Sequence, residues 1–317
     1  MSTNKHVVIC PGQGAQSVGM GHAWMQASPA ARAIFDRADA MLADRFEAPL
    51  SSLCVDGPAE VLDRTDVSQP AIYVCSVACW HGLNAGESPT PVATAGLSLG
   101  EYTALHLAGV FSFEDGLRLV AERGRLMQQA AEASTGGMLA VMGLEQGDAQ
   151  AFCDEVLGGM GAIDGVLVPA NLNAPGQIVL SGDLTACAAA AEVCAERSLR
   201  ATPLSVAGAF HSAHMRPAAE SLADVLAGVD VQPAACDVWS NVTADRYDTD
   251  PDRIRQRLVD QLTHPVRWAD QMVAMIAAGH GEFTELAPGR VLRGLLRRVD
   301  RTAKVYNHDE PNTTHVA

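Results

Sequence analysis

The sequence predicts an α/β fold: a larger body built on a parallel sheet, with a small subdomain inserted into it. Three observations carry that prediction. Strand-like and helix-like segments alternate along the chain. The pentapeptide Gly96-Leu97-Ser98-Leu99-Gly100 joins a short apolar run to a helix-like one. Residues 137–206 follow the order βαββαβ, the pattern of a ferredoxin-like unit.

The elements follow in order. Residues 6–10 form a short apolar strand that stops at Pro11, and Gly12-Gln13-Gly14-Ala15-Gln16 is the loop after it. Loops at the carboxyl ends of parallel strands are where α/β proteins place ligands. Helical patterns cover residues 30–43, 58–64 and 69–83. A strand over 92–96 leads into Ser98, and residues 99–108 repeat apolar positions at helical spacing until Gly109. A further amphipathic helix covers about residues 117–130. Within the insert, strands are expected at 138–142, 165–171, 177–181 and 201–205, and helices at 147–157 and 184–197. The chain then returns to the larger body, residues 1–136 and 207–317, with helices at 221–226, 251–262 and 268–278 and a strand at 282–286. The polar tail after Asn307 reads as loose.

At 317 residues, 48% of them hydrophobic and 19% charged, the chain can bury a sizeable core. No apolar stretch reaches the roughly 18 residues of a membrane span, and the N-terminus leads into too short an apolar run for a signal peptide, so a cytoplasmic protein is expected. A net charge of −15 argues against nucleic acid or an anionic membrane as the main partner. The eight cysteines show no zinc-ligand spacing; Cys75 with Cys79, and Cys187 with Cys194, read as small buried side chains in a reducing compartment.

In the Gly-x-Ser-x-Gly turn, small residues on both sides let the chain reverse from strand to helix, projecting the hydroxyl at the helix's positive end. A serine nucleophile there needs a base, and the chain has ten histidines. His6, His22, His280, His308 and His315 read as solvated, His81 and His106 as packing residues on helices. His211 differs: it follows Val206-Ala207-Gly208-Ala209-Phe210, a small apolar run starting where the insert ends, which places a base across a cleft between the units. His214 is three residues on, but spacing supplies no third metal ligand, and no metal site is expected. Gly12-x-Gly14 is a weak dinucleotide signal, because Ser17 stands at the third glycine's place.

Six ordered segments carry a family resemblance: Gly12-Gln13-Gly14-Ala15-Gln16, Gly96 to Tyr102, Arg123-Gly124-Arg125-Leu126-Met127-Gln128, Asn171 to Gln177, Ala209-Phe210-His211-Ser212, and Pro288-Gly289-Arg290-Val291-Leu292. Across nearly its whole length the chain resembles the malonyl-CoA:acyl carrier protein transacylases of bacterial type II fatty-acid synthesis. That family pairs an α/β-hydrolase-like large subdomain with an inserted ferredoxin-like one.

The resemblance implies Ser98 as the nucleophile that accepts malonyl from the coenzyme A thioester, and His211 as its base, in ping-pong transfer to the carrier's phosphopantetheine thiol. It implies that the main-chain carbonyl of Gln261 orients His211 in place of a triad acid, and that the N–H groups of Gln13 and Leu99 form the oxyanion hole. Arg123 would bind the malonyl carboxylate; a buried guanidinium suits that anion and is left uncompensated by acetyl. Phe210 matches the malonyl-type version of its segment. No cofactor is implied, since the coenzyme A thioester is a substrate, and a monomer is expected.

Two positions depart from the family pattern: Leu97 where histidine is common before the nucleophile, and Ala287 where glycine is commoner. No proton transfer in this scheme uses the first side chain, so activity is expected to survive. An acidic carrier needs a local positive surface on a chain of charge −15. The basic run Arg290, Arg293, Arg297, Arg298, Arg301 and Lys304, with Arg197 and Arg200 on the insert, is the expected dock, set against a solvated helix whose cations complement its own dipole. A serine esterase or thioesterase of α/β-hydrolase type is the alternative; it shares the elbow but normally places an acid between Ser and His and has no need of Arg123. The sequence leaves open whether the carrier serves fatty-acid or polyketide synthesis.

Overall fold

Alternate side chains of the first strand, β1 (Val7–Cys10), pack into different cores: Val8 and Cys10 into one, Val7 and Ile9 into another. That period of two is what a strand buried on both faces requires. The computed structural model describes residues 7–161, 164–311 and 315–316; His6, the expected start of this strand, lies outside them.

After β1 come α1 (His22–Ala27), α2 (Pro29–Met41), α3 (Leu50–Asp56), α4 (Ala59–Leu62), α5 (Thr65–Leu83), β2 (Ala93–Gly96), α6 (Leu99–Leu107) and α7 (Phe113–Glu132). Next are β3 (Gly136–Met142), α8 (Ala149–Met160), β4 (Leu167–Ala174), β5 (Gln177–Asp183), α9 (Leu184–Glu196) and β6 (Arg200–Pro203). The chain closes with α10 (Arg216–Ala227), β7 (Asp237–Val238), α11 (Pro251–Asp260), α12 (Trp268–Ala277), β8 (Glu282–Leu286), α13 (Val291–Val299), β9 (Lys304–His308) and β10 (His315–Val316).

The larger sheet has the order β10-β9-β8-β1-β2-β7, parallel except for β10. On one face lies α5, buried continuously from Val67 to Trp80, with α2 and α7 against it. A helix apolar on all sides belongs at the centre of such a layer. The other face is covered by Trp268, Met272 and Met275 of α12 and Leu292, Leu295 and Leu296 of α13.

The smaller sheet, β4-β5-β3-β6, is antiparallel throughout, as the βαββαβ order predicts. Phe152, Cys153 and Val156 of α8 and Ala186, Ala190 and Cys194 of α9 fill a core of its own. It meets the larger body where Asn171 bridges Val266, with Leu172 N–H donating to Val266 O (2.9 Å) and Val266 N–H to Ala170 O (2.8 Å).

Three expectations need correction. The helix expected over 58–64 is the short α4, and α5 starts at Thr65 rather than 69, because Pro70 is absorbed inside the helix instead of opening it. His308 is not solvated: it is 8% exposed on β9, and its carbonyl accepts from Trp24 Nε1 at 3.0 Å. The tail is not wholly loose, since His315–Val316 pairs with β9; residues 312–314 and 317 lie outside the described set. The sequence reading missed α1, α3, β7 and β9, elements too short or too polar to show a period. Among the described residues no helix is long and apolar enough to cross a membrane.

Candidate active site

The elbow between β2 and α6 is sterically determined. A Cβ at Gly96 would lie 1.9 Å from the Gly100 backbone, and one at Gly100 2.1 Å from the Cys10 carbonyl oxygen. Only glycine lets the turn close this tightly against β1. Between them Ser98 takes φ 51° and ψ −102°, a sparsely populated backbone that costs about 1–3 kcal/mol and persists only where surrounding contacts over-determine it. Its Oγ projects beside the first turn of α6, at that helix's positive end.

His211 also has a positive φ, 57°, on the segment after β6. The small residues before it allow close packing: a Cβ at Gly208 would meet Ala131 of α7 at 2.6 Å, and one at Gly136 would meet Ala209 at 2.7 Å. Ser212 Oγ donates back to Ala209 O at 2.7 Å and closes the turn. His211 is thereby held over Ser98, 113 residues distant in sequence, with Nε2 at 2.8 Å from Ser98 Oγ.

Arg123, on α7, is 1% exposed. Its Nη1 donates to Gln69 Oε1 (2.7 Å), and its Nη2 to Gln261 Oε1 (2.8 Å) and Ser98 Oγ (3.0 Å). The guanidinium lies 5.2 Å from the Tyr102 ring centroid. Because Arg123 only donates, the Ser98 hydroxyl proton is left for His211 Nε2. His211 Nδ1 stands 2.8 Å from Gln261 O, which only accepts, so Nδ1 carries the ring hydrogen and Nε2 is the free base. Burial, reinforced by the Arg123 charge, pushes the His211 pKa down to about 4.

Under the elbow is a buried polar network that sequence reasoning missed. Asn241, Gln271 and Glu101 are each fully buried, and Asn241 is hydrogen-bonded to both of the others. Glu101 Oε1 accepts from Asn241 N–H (2.8 Å) and from Tyr247 OH (2.9 Å), and Oε2 accepts from Gln261 Nε2. Burial pushes the Glu101 pKa up to about 7, partly offset by these donors and by Arg123. Glu101 lies in the segment Gly96 to Tyr102 and Gln271 in the helix expected over 268–278, but neither position singled out a buried polar role, and Asn241 sits in a segment with no sequence signal.

A cleft of about 320 Å³ opens over these groups, lined by Gln13, Leu97, Ser98, Phe210 and His211 from the larger body and by Asn171, Asn173 and Gln177 from the smaller sheet. Leu99, Arg123 and Gln261 stand fully buried behind that lining. The N–H groups of Gln13 and Leu99 have no hydrogen-bond partner among the described residues; Gln13 lines the cleft with Ser98, and Leu99 follows Ser98 in the chain. Leu97 packs against the core containing β1 and α13 and borders the cleft. His214 is paired with Asp183 (Nε2–Oδ1 2.8 Å), apart from His211's partners. Val291 and Leu295 bring the first half of α13 to the cleft's edge. Of the expected basic run, Lys304 is paired with Glu282 and Arg197 with Glu155, while Arg290, Arg293, Arg297 and Arg301 have no ion pair among the described residues.

A hydroxyl, a neutral imidazole and a fixed cation around one cleft suit acyl transfer to and from an anionic acyl group. Residues 7–310 match the acyl transferase domain family. The chain is 40% identical over 316 residues to the malonyl CoA-acyl carrier protein transacylase of Bacillus subtilis, covering 99% of this chain and 96% of that one. It superposes on the acyl-carrier-protein S-malonyltransferase of Burkholderia pseudomallei with a TM-score of 0.90 and 35% identity, covering 97% of each. It also superposes on a malonyl-transacylase solved in complex with its type II polyketide acyl carrier protein, with a TM-score of 0.89 and 36% identity over 96% of each chain.

Proposed function

This chain belongs to the acyl transferase domain family, and we propose from that premise that it moves a malonyl group from malonyl-CoA to the phosphopantetheine thiol of an acyl carrier protein through an ester on Ser98. The observation that carries the reading is the convergence of His211 Nε2 at 2.8 Å and Arg123 Nη2 at 3.0 Å on one serine oxygen.

The chemistry follows from the hydrogen bonds. His211 Nε2 takes the Ser98 proton as Oγ attacks the thioester carbonyl, and the resulting imidazolium is steadied by Gln261 O on Nδ1. The oxyanion meets the N–H groups of Gln13 and Leu99, which have no competing hydrogen-bond partner among the described residues. Collapse expels the coenzyme A thiolate, which takes the proton back from Nε2. The carrier's thiol then gives its proton to Nε2 and attacks the malonyl ester, and the departing Ser98 Oγ takes that proton back from Nε2. The malonyl carboxylate pairs with Arg123, and a buried cation of this kind favours an anionic acyl group over a neutral one. Phe210 walls the acyl side of the cleft.

We infer that residues 137–206 are the insert and that 1–136 with 207–317 form the larger body; the separate core of the smaller sheet supports this division. We also place the acidic carrier against α13, at Arg293 and Arg297, because that helix borders the cleft and these cations have no ion pair among the described residues.

Mixing the protein with malonyl-CoA and measuring its intact mass tests the reading. The expected result is one malonyl adduct, absent in Ser98→Ala and discharged by added carrier protein. Thioester hydrolysis without an adduct or carrier acylation would overturn it in favour of an esterase.

A further inference from the structure

The buried Asn241 side-chain amide is hydrogen-bonded through both its oxygen and its nitrogen. Its Oδ1 accepts from Ser98 N–H (2.7 Å) and from Gln261 Nε2 (3.3 Å). Its Nδ2 donates to Gly96 O (2.7 Å) and to Gln271 Oε1 (3.1 Å). These four contacts also define the amide's orientation, since reversing it would oppose donor to donor and acceptor to acceptor. Gln271 is itself anchored by Nε2 donating to Trp239 O at 2.9 Å, and the Asn241 main-chain N–H is held by Glu101.

The position follows from topology. β7 lies parallel to β2, with Ala93 beside Asp237 and Thr94 beside Val238. Both strands end at the same edge of the sheet, so the chain after β7 delivers Asn241 next to the elbow that follows β2. There the side chain reaches the backbone on both sides of the strained turn, Gly96 O before it and Ser98 N–H within it.

We infer that Asn241 is a positioning residue for the nucleophile, a clamp across the elbow that holds Ser98 Oγ aligned with His211 and Arg123. The inference rests on Ser98 being the nucleophile. Asn241 touches no reacting atom; its influence reaches Oγ through the backbone that it bridges. Through Gln261 it also reaches the carbonyl that orients His211 and the amide oxygen that holds Arg123.

The test measures malonyl transfer kinetics together with the rate at which an arylsulfonyl fluoride labels Ser98, a reaction that needs a presented hydroxyl and no malonyl recognition. Asn241→Ala is expected to lower kcat by about 100-fold, the scale for a misplaced reacting group, with the KM for malonyl-CoA little changed. Labelling should slow in proportion, and Asn241→Asp, which keeps the acceptor facing Ser98 N–H, should recover part of both rates. A folded Asn241→Ala protein with unchanged kcat and labelling, or one altered only in KM, would overturn the clamp. Should the alanine variant fail to fold, Asn241→Asp decides: a lowered kcat at constant KM supports the inference and an unchanged kcat rejects it. If the wild-type protein is not labelled at Ser98, the acyl-enzyme reading itself fails; a labelled wild type with an unaffected variant sinks the clamp alone.

Discussion

Arg123 Nη2 donates to Ser98 Oγ at 3.0 Å, so the cation proposed to recognise the substrate's carboxylate also touches the nucleophile. On the proposed reading the contact joins specificity and chemistry in one buried side chain, since the same cation would stabilise the alkoxide character that develops as Oγ loses its proton. The Arg123 charge also suppresses charging of His211.

Replacing Arg123 by alanine should therefore damage both functions. The kcat/KM for malonyl-CoA is expected to fall by at least about a hundredfold and that for acetyl-CoA by less, since acetyl loses only the contact to Ser98 Oγ and malonyl loses its carboxylate's partner as well, so selectivity falls. Competition between the two thioesters, read by intact mass, checks this; preserved selectivity would remove Arg123 from the carboxylate's site.

With His211 as the proposed base, its low pKa would set the acid limb of the reaction. A histidine of ordinary pKa, about 6.5, would cost about tenfold in rate at pH 5.5. Here burial and the Arg123 charge hold the imidazole neutral down to about 4, so Ser98 sulfonylation should stay nearly level from pH 8 to about 5. A limb centred near 6.5 would contradict the environment described. For stability the sign is that of a lowered value: the unfolded chain takes up a proton below 6.5 that the native state refuses until about 4, so this group's contribution is present above 6.5 and lost as pH falls.

Glu285 has the opposite sign. It is buried on β8 and accepts from the Leu292 and Arg293 N–H groups at the start of α13, and burial outweighs these donors to raise its pKa from 4.5 to about 7. Its contribution is fully present below 4.5 and lost as pH rises through about 7. Relative to Glu285→Gln, wild-type stability should fall with rising pH across that window, by up to about 1.4 kcal/mol per pH unit. Urea melts at pH 5 and pH 8 measure the difference, and equal offsets at both would refute it.

Gly100→Ala should destabilise by about 3 kcal/mol or more, because the added methyl meets the Cys10 carbonyl at 2.1 Å in backbone that has no room to yield. Chemical denaturation reads the loss. Gly147→Ala, where nothing lies within 4 Å of the new carbon, should be nearly neutral by comparison.

Charge reversal on α13, Arg293→Glu with Arg297→Glu, should raise the KM for the carrier and spare that for malonyl-CoA. The carrier effect should shrink with added salt, as screening of an exposed contact demands. Equal effects on the two substrates would assign the helix another role.

The alternation of elements, the βαββαβ insert and the glycine-bounded elbow were legible because each rests on local periodicity or local sterics: Val8 and Cys10 against Val7 and Ile9, or Gly96 and Gly100 around Ser98. Resemblance across six ordered motifs then singled out Ser98, His211, Arg123 and Gln261 as partners, and the structure places them within hydrogen-bonding distance of one another. Asn241, Gln271 and the burial of His308 were not legible. A lone amide after a two-residue strand has no period, and its importance arises only when β7 is laid beside β2. Likewise β9 buries His308 only because β8 offers it a free edge. Sequence by itself determined which segments turn, coil or extend, since those preferences are set within a few residues. The tertiary structure alone decided which distant polar groups meet in a buried space, and there burial and the Arg123 charge set the pKa of His211 while hydrogen bonds from Asn241 brace the elbow that Gly96 and Gly100 allow.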